Sequence, residues 1–263
     1  MDMTQVAARF ERIKALPAYE LVAEAIERKI LSGLLQPGDP IGTESELVKQ
    51  FGVNRSTVRE GIRLLEQSGL VARESSRRLL VAVPHYDRLA TRMSRALILQ
   101  QVTFRELWHT SMALEPAVVA QAIEHATEAD LDAIDANIAA TRAVQRAAST
   151  VANLDAEFHG LVAKAAHNRV LLLAKEPSSM LVMPTVELIL TKNPAGIARL
   201  IEAHENILSA IRRRDQAKAL LWVERHLQDW RAGFERAGRQ FDSAVAPLNA
   251  RRPNWDAGQA TKR

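Results

Sequence analysis

The sequence predicts a mainly α-helical chain in two domains, the smaller one N-terminal and ending in a β-hairpin, the larger one helical throughout. Three observations carry that reading. At 263 residues the chain exceeds the usual size of one domain and suits two cores. Hydrophobic residues make up 47% and charged residues 25%, but aromatics only 5%. With Ala and Leu recurring throughout, this balance favours packed helices over sandwiches or barrels. Apolar residues also keep a helical period along most of the chain, and only the stretch 70–83 reads as strand.

Residues 1–16 form a polar leader, and Pro17 sits where a first helical turn tolerates it. Leu21, Val22, Ala25, Ile26 and Ile30 then mark a helix ending near Gly33, and Gln36-Pro37-Gly38-Asp39 is a turn. Thr43 with Glu46 three residues on is a capping box opening a second helix, Glu44 to Phe51, which Gly52 ends. A third runs from Arg55 to Gln67, with Val58, Ile62 and Leu65 inward and Gly69 closing it. Leu70 to Arg73 and Leu79 to Val83 form two strands around the polar tip 74–78, and Pro84 marks a boundary. Helix, glycine turn, second helix and β-wing together make a winged helix-turn-helix over 17–84.

Beyond it, an all-α bundle over 87–243 is expected, with helices near 87–100, 103–124, 128–148, 150–167, 169–190, 194–213 and 215–240. Thr127 with Asp130, and Asn193-Pro194, are start signals; Pro177 and Pro184 should kink or break the fifth helix. Residues 244–263, rich in Arg, Asn, Pro and Gly, read as a disordered tail. The chain has no cysteine, which excludes disulfides and thiolate metal sites. Its charged start resembles no secretory signal, and no apolar run approaches a membrane span, so a soluble, cytoplasmic protein is expected.

The net charge of +4 decides little alone, but residues 49–80 hold seven Lys/Arg against three acids. Arg55, Arg59 and Arg63 recur every four residues, flanking the apolar face of the third helix, and project outward together. Asn54, Ser56 and Thr57 stand at the helix start, where hydroxyls and free backbone N–H groups can meet phosphate, while arginine can donate two bonds to a guanine edge. A basic helix is equally compatible with a merely solvated face. The whole string from Ala25 to Val71, with ILSG, PGD, Glu44, FGVNRSTVRE and LEQSGLV, resembles the winged-helix signature of the GntR family of transcriptional regulators. The resemblance implies a homodimer on double-stranded operator DNA, with Arg55 and Arg59 contacting bases and phosphates and Ser56 and Thr57 contacting the backbone. Ser45 replaces the family's usual arginine, and Ser75-Ser76 replaces a wing glycine, leaving the wing's task to Arg77 or Arg78. Gly61 stands where alanine is usual, costing up to about 1 kcal/mol of helix propensity unless close packing requires it.

In the second domain Asp155 and His159 are spaced i, i+4, beside the apolar stripe Leu154, Phe158, Leu161 and Ala165. His204 lies in the stripe Ile197, Leu200, Ile201, Ile207, and His226 among Val223, Leu227 and Trp230. A buried imidazole needs partners for its ring nitrogens. Three imidazoles and a carboxylate from three helices can share one divalent ion such as Zn²⁺ or Ni²⁺; alternatively, backbone, Ser or Thr satisfies each histidine separately. LDAEFHGLVAKAAHN, EAHENILSAIRRRD and ERHL, with ELWHTSMALEPAVVAQAI, resemble the FCD effector domain of the FadR-like branch of that family. The resemblance implies a metal presenting a small carboxylate effector. Ser111 stands where an arginine usually clamps that carboxylate, and Trp108 and His109 are either effector-facing or packing residues.

A hydrolytic metal enzyme is disfavoured, because no Glu is placed as in HExxH and no nucleophile motif exists. The stronger rival is a DNA-binding regulator whose helical domain is a metal-free dimerisation or acyl-ligand module.

Overall fold

A computed structural model describes residues 16–74, 78–84, 86–144 and 147–245. Residues 1–15, the hairpin tip 75–77 with Arg77, and 246–263 lie outside them, and with them most of the expected leader and tail. The chain divides into two compact units, Met1–His85 and Tyr86–Arg263.

In the first unit, helix α1 (Ala18–Leu31) is followed by strand β1 (Pro40–Gly42), α2 (Glu44–Phe51), α3 (Arg55–Ser68), β2 (Val71–Arg73) and β3 (Leu79–Val81). Thr43 and Glu46 form the capping box in full: the Thr43 hydroxyl accepts from the Glu46 N–H, and the Glu46 carboxylate accepts from the Thr43 N–H at 2.7 Å. Gly52 and Gly69 end α2 and α3 in the left-handed region, at φ 65° and 83°, where a side chain is strained. The short turn thus made brings the apolar faces of α2 and α3 onto α1, around Val22, Ile26, Leu47, Val58, Ile62 and Leu65. A Cβ on Gly61 would stand 2.8 Å from the Tyr19 carbonyl oxygen, so the glycine allows α1 to rest against α3. Its propensity cost has a packing reason.

The sheet has order β1-β3-β2 and is antiparallel. β2 and β3 pair Val71 with Val81 and Arg73 with Leu79. β1 was not expected from the sequence; three residues starting at a proline carry no strand pattern, and only pairing with β3 makes them one.

The second unit holds seven helices among the described residues: α4 (Tyr86–Leu99), α5 (Phe104–His125), α6 (Glu128–Ala143), α7 (Ala148–Ala165), α8 (Arg169–Lys192), α9 (Gly196–Arg212) and α10 (Gln216–Arg236). Thr127 and Asp130 make the expected capping box, and Thr103 with Glu106 makes another. α8 is not broken at Pro177 or Pro184. It packs against α4, α5, α7 and α10, and Ser94 of α4 donates to the Pro177 carbonyl at 2.8 Å, so tertiary contacts hold the helix through both prolines. Asn193-Pro194 ends α8 and leads into α9, which starts two residues later.

One apolar core fills this bundle, from Phe104 and Val118 through Ile134, Phe158 and Leu181 to Ile207, Ile211 and Phe234. After α10 the chain returns along the start of α5: the Phe104 N–H donates to Ser243 O and the Val245 N–H to Val102 O, both at 2.9 Å. Arg105 pairs with Asp242, and Phe241 is flanked by the Arg105 and Arg231 guanidiniums at 4.4 and 4.2 Å.

Candidate functional site

The core of the second unit contains a cluster of polar side chains in which atoms of Asp155 and His204 are buried without a hydrogen bond. Asp155 and His159 leave one face of α7, one turn apart, while α9 supplies His204 and α10 supplies His226. One ligand atom from each of the four lies within 4.8 Å of all the others. Asp155 Oδ1 is 3.3 Å from His204 Nε2 and 3.9 Å from Nε2 of both His159 and His226. The Nε2 atoms of His159 and His226 are 3.2 Å apart.

His204 is 1% exposed and Asp155 2%. Asp155 Oδ1 and both ring nitrogens of His204 are buried without a hydrogen bond, because the 3.3 Å approach lacks hydrogen-bond alignment. The His204 ring is stacked on Phe158 at 3.6 Å, which fixes its plane. Orphaned polar atoms at such depth cost about 1–3 kcal/mol each, and two of them, Asp155 Oδ1 and His204 Nε2, lie 3.3 Å apart within the cluster. Their separate satisfaction by backbone or hydroxyl groups, the alternative left open by the sequence, is not what the structure shows for His204.

Burial also sets protonation. It pushes His204 below the ordinary histidine range, with Asp155 opposing, and it takes His226 down to about 3, helped by repulsion from His204 and His159. Burial alone would raise Asp155, but contact with His204 and the neighbouring imidazoles outweighs it and holds the carboxyl at about 2. Neutral imidazoles beside an ionised carboxylate are the forms that ligate a cation.

Two residues that the sequence reading missed complete the site. Glu115 of α5 accepts from His159 Nδ1 at 3.2 Å, leaving the His159 Nε2 lone pair turned toward the cluster. Lys175 of α8 pairs with Glu115 at 3.0 Å and donates to the His159 carbonyl at 3.3 Å. Burial would raise Glu115, but Lys175 and then His159 hold it well below the carboxylate range. A signal existed in ELWHTSMALEPAVVAQAI: Glu115 is the acid of its LEP triplet, sitting among apolar residues.

Beside the cluster lies a cavity of about 60 Å³ lined by Ser111, Glu115, Lys175, Ser179 and apolar side chains such as Val182 and Leu200. Ser111 faces it. Trp108 is not among its lining residues: its indole donates to the Leu227 carbonyl at 3.0 Å and packs on Phe241 and Arg231, the packing role that the sequence left open. His125 lies at the end of α5 beside Glu124, and His167 pairs with Asp130.

In the first unit Arg55 and Arg59 extend from α3 with side chains 70% exposed. Both lie loosely beside Glu44 of α2, at 3.6 and 4.0 Å, while Arg73 of β2 bonds Glu44 at 3.0 Å and Glu66 at 2.7 Å. Arg73, one of the seven basic residues of 49–80, stands in the strand rather than in the helical stripe. Asn54 caps α3 by accepting from the Thr57 N–H and the Ser56 hydroxyl, which leaves the first turn's other N–H groups directed outward. Arg63 is held by Glu60. Ser45 is exposed, and so is Arg78, which pairs with Glu74 at 3.5 Å.

A winged helix-turn-helix with a basic outer helix, followed by an all-helical domain enclosing a donor cluster and cavity, defines a DNA-binding regulator with a sensory domain. Residues 18–81 match the model of the bacterial regulatory proteins of the gntR family, and residues 106–229 match that of the FCD domain. The HTH-type transcriptional regulator LutR of Bacillus subtilis is 27% identical over 202 residues, covering 75% of this chain and 92% of that protein. The Glc operon transcriptional activator of Escherichia coli is 29% identical over 175 residues, 65% of this chain and 69% of its own. A solved Streptococcus agalactiae GntR structure has the same fold, with a TM-score of 0.57, 22% identity, and coverage of 81% of this chain and 99% of that one. The chain belongs to the GntR family: it is a DNA-binding transcriptional regulator with an FCD effector-binding domain, not an enzyme. Among the described residues, no helix is long and apolar enough to cross a membrane.

Proposed function

We propose that the protein is a cytoplasmic, homodimeric regulator of the FadR-like branch whose grip on its operator is set by a small carboxylate bound at a metal in the helical domain. The observation that carries this is the convergence of Asp155, His159, His204 and His226 with atoms of Asp155 and His204 left unpartnered. Three imidazole nitrogens and a carboxylate oxygen suit Zn²⁺, Ni²⁺ or a similar divalent ion. When bound, such an ion supplies a positive centre that a carboxylate oxygen can ligate.

The remaining work belongs to the chain. Glu115 keeps His159 in the tautomer that presents Nε2, and the Phe158 stack fixes His204. α7, α9 and α10 meet at the cluster, so a ligand drawn into the cavity biases their packing. On DNA, Arg55 and Arg59 leave Glu44 for guanine edges or phosphate, the α3 start with Ser56 and Thr57 meets phosphate, and Arg78 with Arg77 serves the wing. Two copies place two α3 helices on a two-fold site.

Metal analysis of untagged protein, paired with gel shifts on selected operator DNA, tests this. The expected result is close to one divalent ion per chain, with operator affinity that responds to an added small carboxylate and loses that response after chelation. Background metal content with an unchanged response would overturn the metal reading and leave a metal-free dimerisation or acyl-ligand module.

A further inference from the structure

The charges enclosed with the cavity define what kind of effector it accepts. Lys175 and Glu115 face each other at 3.0 Å with side chains 5% and 9% exposed, and their sum is zero wherever the shared proton sits. The three histidines ligate through neutral nitrogens. A divalent ion together with the Asp155 carboxylate therefore leaves a single positive charge. The nearby Asp229 is shared between Arg199 at 3.0 Å and Arg236 at 3.1 Å, and with side chains 43%, 38% and 50% exposed for Arg199, Asp229 and Arg236 this group is screened by water and does not count with the enclosed charges.

Among the lining residues are hydrogen-bond donors. The Lys175 ammonium has three protons; Glu115 and the His159 carbonyl take two, and the third has no partner among the described residues. The Ser111 hydroxyl, on a residue 8% exposed, makes no hydrogen bond among the described residues and lines the same cavity.

We propose that the pocket selects a monocarboxylate, recognised by the free Lys175 proton and the Ser111 hydroxyl in addition to the metal. This inference rests on the metal-site reading above. A single carboxylate cancels the enclosed charge, whereas a second one is buried without a counterion, and an unpaired buried charge is costly. Lys175 is then a specificity-determining residue, and Ser111 marks where an added cation would change the preference.

Calorimetry on zinc-loaded, untagged protein tests the proposal with butyrate, succinate and monomethyl succinate; the ester keeps the four-carbon skeleton of succinate, adds a methyl group and removes one charge. Butyrate and the ester should bind, with succinate weaker by at least about tenfold. Lys175→Met should weaken butyrate by about tenfold or more while keeping one zinc per chain, since no ligand atom is removed. Ser111→Arg, or Ser179→Lys should the first not fold, should bring succinate to parity or better. Succinate binding as tightly as butyrate in the wild type overturns the inference, as does failure of every monocarboxylate from acetate to butyrate. Loss of zinc from a folded Lys175→Met variant also overturns it, by showing that the lysine only supports His159. Wild-type protein that takes up no zinc refutes the metal reading itself, and the inference with it.

Discussion

The two units handle charge in opposite ways. In the first, Arg55 and Arg59 are 70% exposed and lie 3.6 and 4.0 Å from Glu44, so water competes for every contact. Such pairs are worth about 0–1 kcal/mol, and the arginines can leave them for phosphate or a base at little cost. In the second, Asp155 and His204 are almost fully buried, and their orphaned atoms have no water to fall back on. The first arrangement is a surface that gives up its own contacts to a partner, the second an interior that is incomplete without one. Perturbing the two should therefore separate stability from affinity.

The largest effect should come from the buried side. An ion held at a thousandfold excess over its Kd stabilises the fold by about 4 kcal/mol, or on the order of 10 °C in a domain of this size. Chelation, or His204→Ala, should lower Tm by that order in differential scanning calorimetry, while His125→Ala, at an exposed helix end, should not. An equal response from both histidines would break the contrast.

Arg55→Ala and Arg59→Ala should each weaken operator binding by about 1–3 kcal/mol where the contact is bidentate, with Tm unchanged. Fluorescence anisotropy and a thermal melt on the same samples would show whether affinity and stability part as expected. Gly61→Ala belongs to neither class. A methyl group 2.8 Å from the Tyr19 carbonyl must push α1 off α3, and the overpacking should cost about 1–3 kcal/mol despite better helix propensity. Chemical denaturation reads that cost directly, and a stabilised variant would show that α1 is not seated as described.

The smallest effect is expected at Arg63, the third residue of the basic stripe. Its guanidinium is already engaged by Glu60 at 3.0 Å, so Arg63→Ala should reduce operator affinity by less than Arg55→Ala and change stability by no more than about 0.5 kcal/mol. A loss equal to that of Arg55 would extend the contact surface along the whole helix.

The sequence was most legible where cause and effect are close along the chain. The capping boxes at Thr43/Glu46 and Thr127/Asp130, and the i, i+4 pair Asp155/His159, depend on neighbours within a turn. His204 and His226 were visible because a histidine interrupting an apolar stripe is chemically out of place. Lys175 escaped because alone it resembles an ordinary surface charge, and Glu115, though set among apolar residues, had no visible partner; only the bundle brings α5 and α8 together, across 60 residues, to make a buried pair. β1 was hidden for the same reason, since its strand character exists only in its pairing with β3. The prolines of α8 show the opposite case: local chemistry argued for a kink or a break, and with packing on several sides the helix is not broken.

Trp230 has a practical consequence. Its indole is 8% exposed, lines the cavity, and donates to the Thr185 hydroxyl at 3.0 Å. The chain has only four tryptophans, so replacing the other three with phenylalanine leaves a single emitter in the cavity wall. Its emission wavelength and quenching then serve as an optical gauge of cavity filling, readable in seconds and without DNA, by which candidate effectors can be screened.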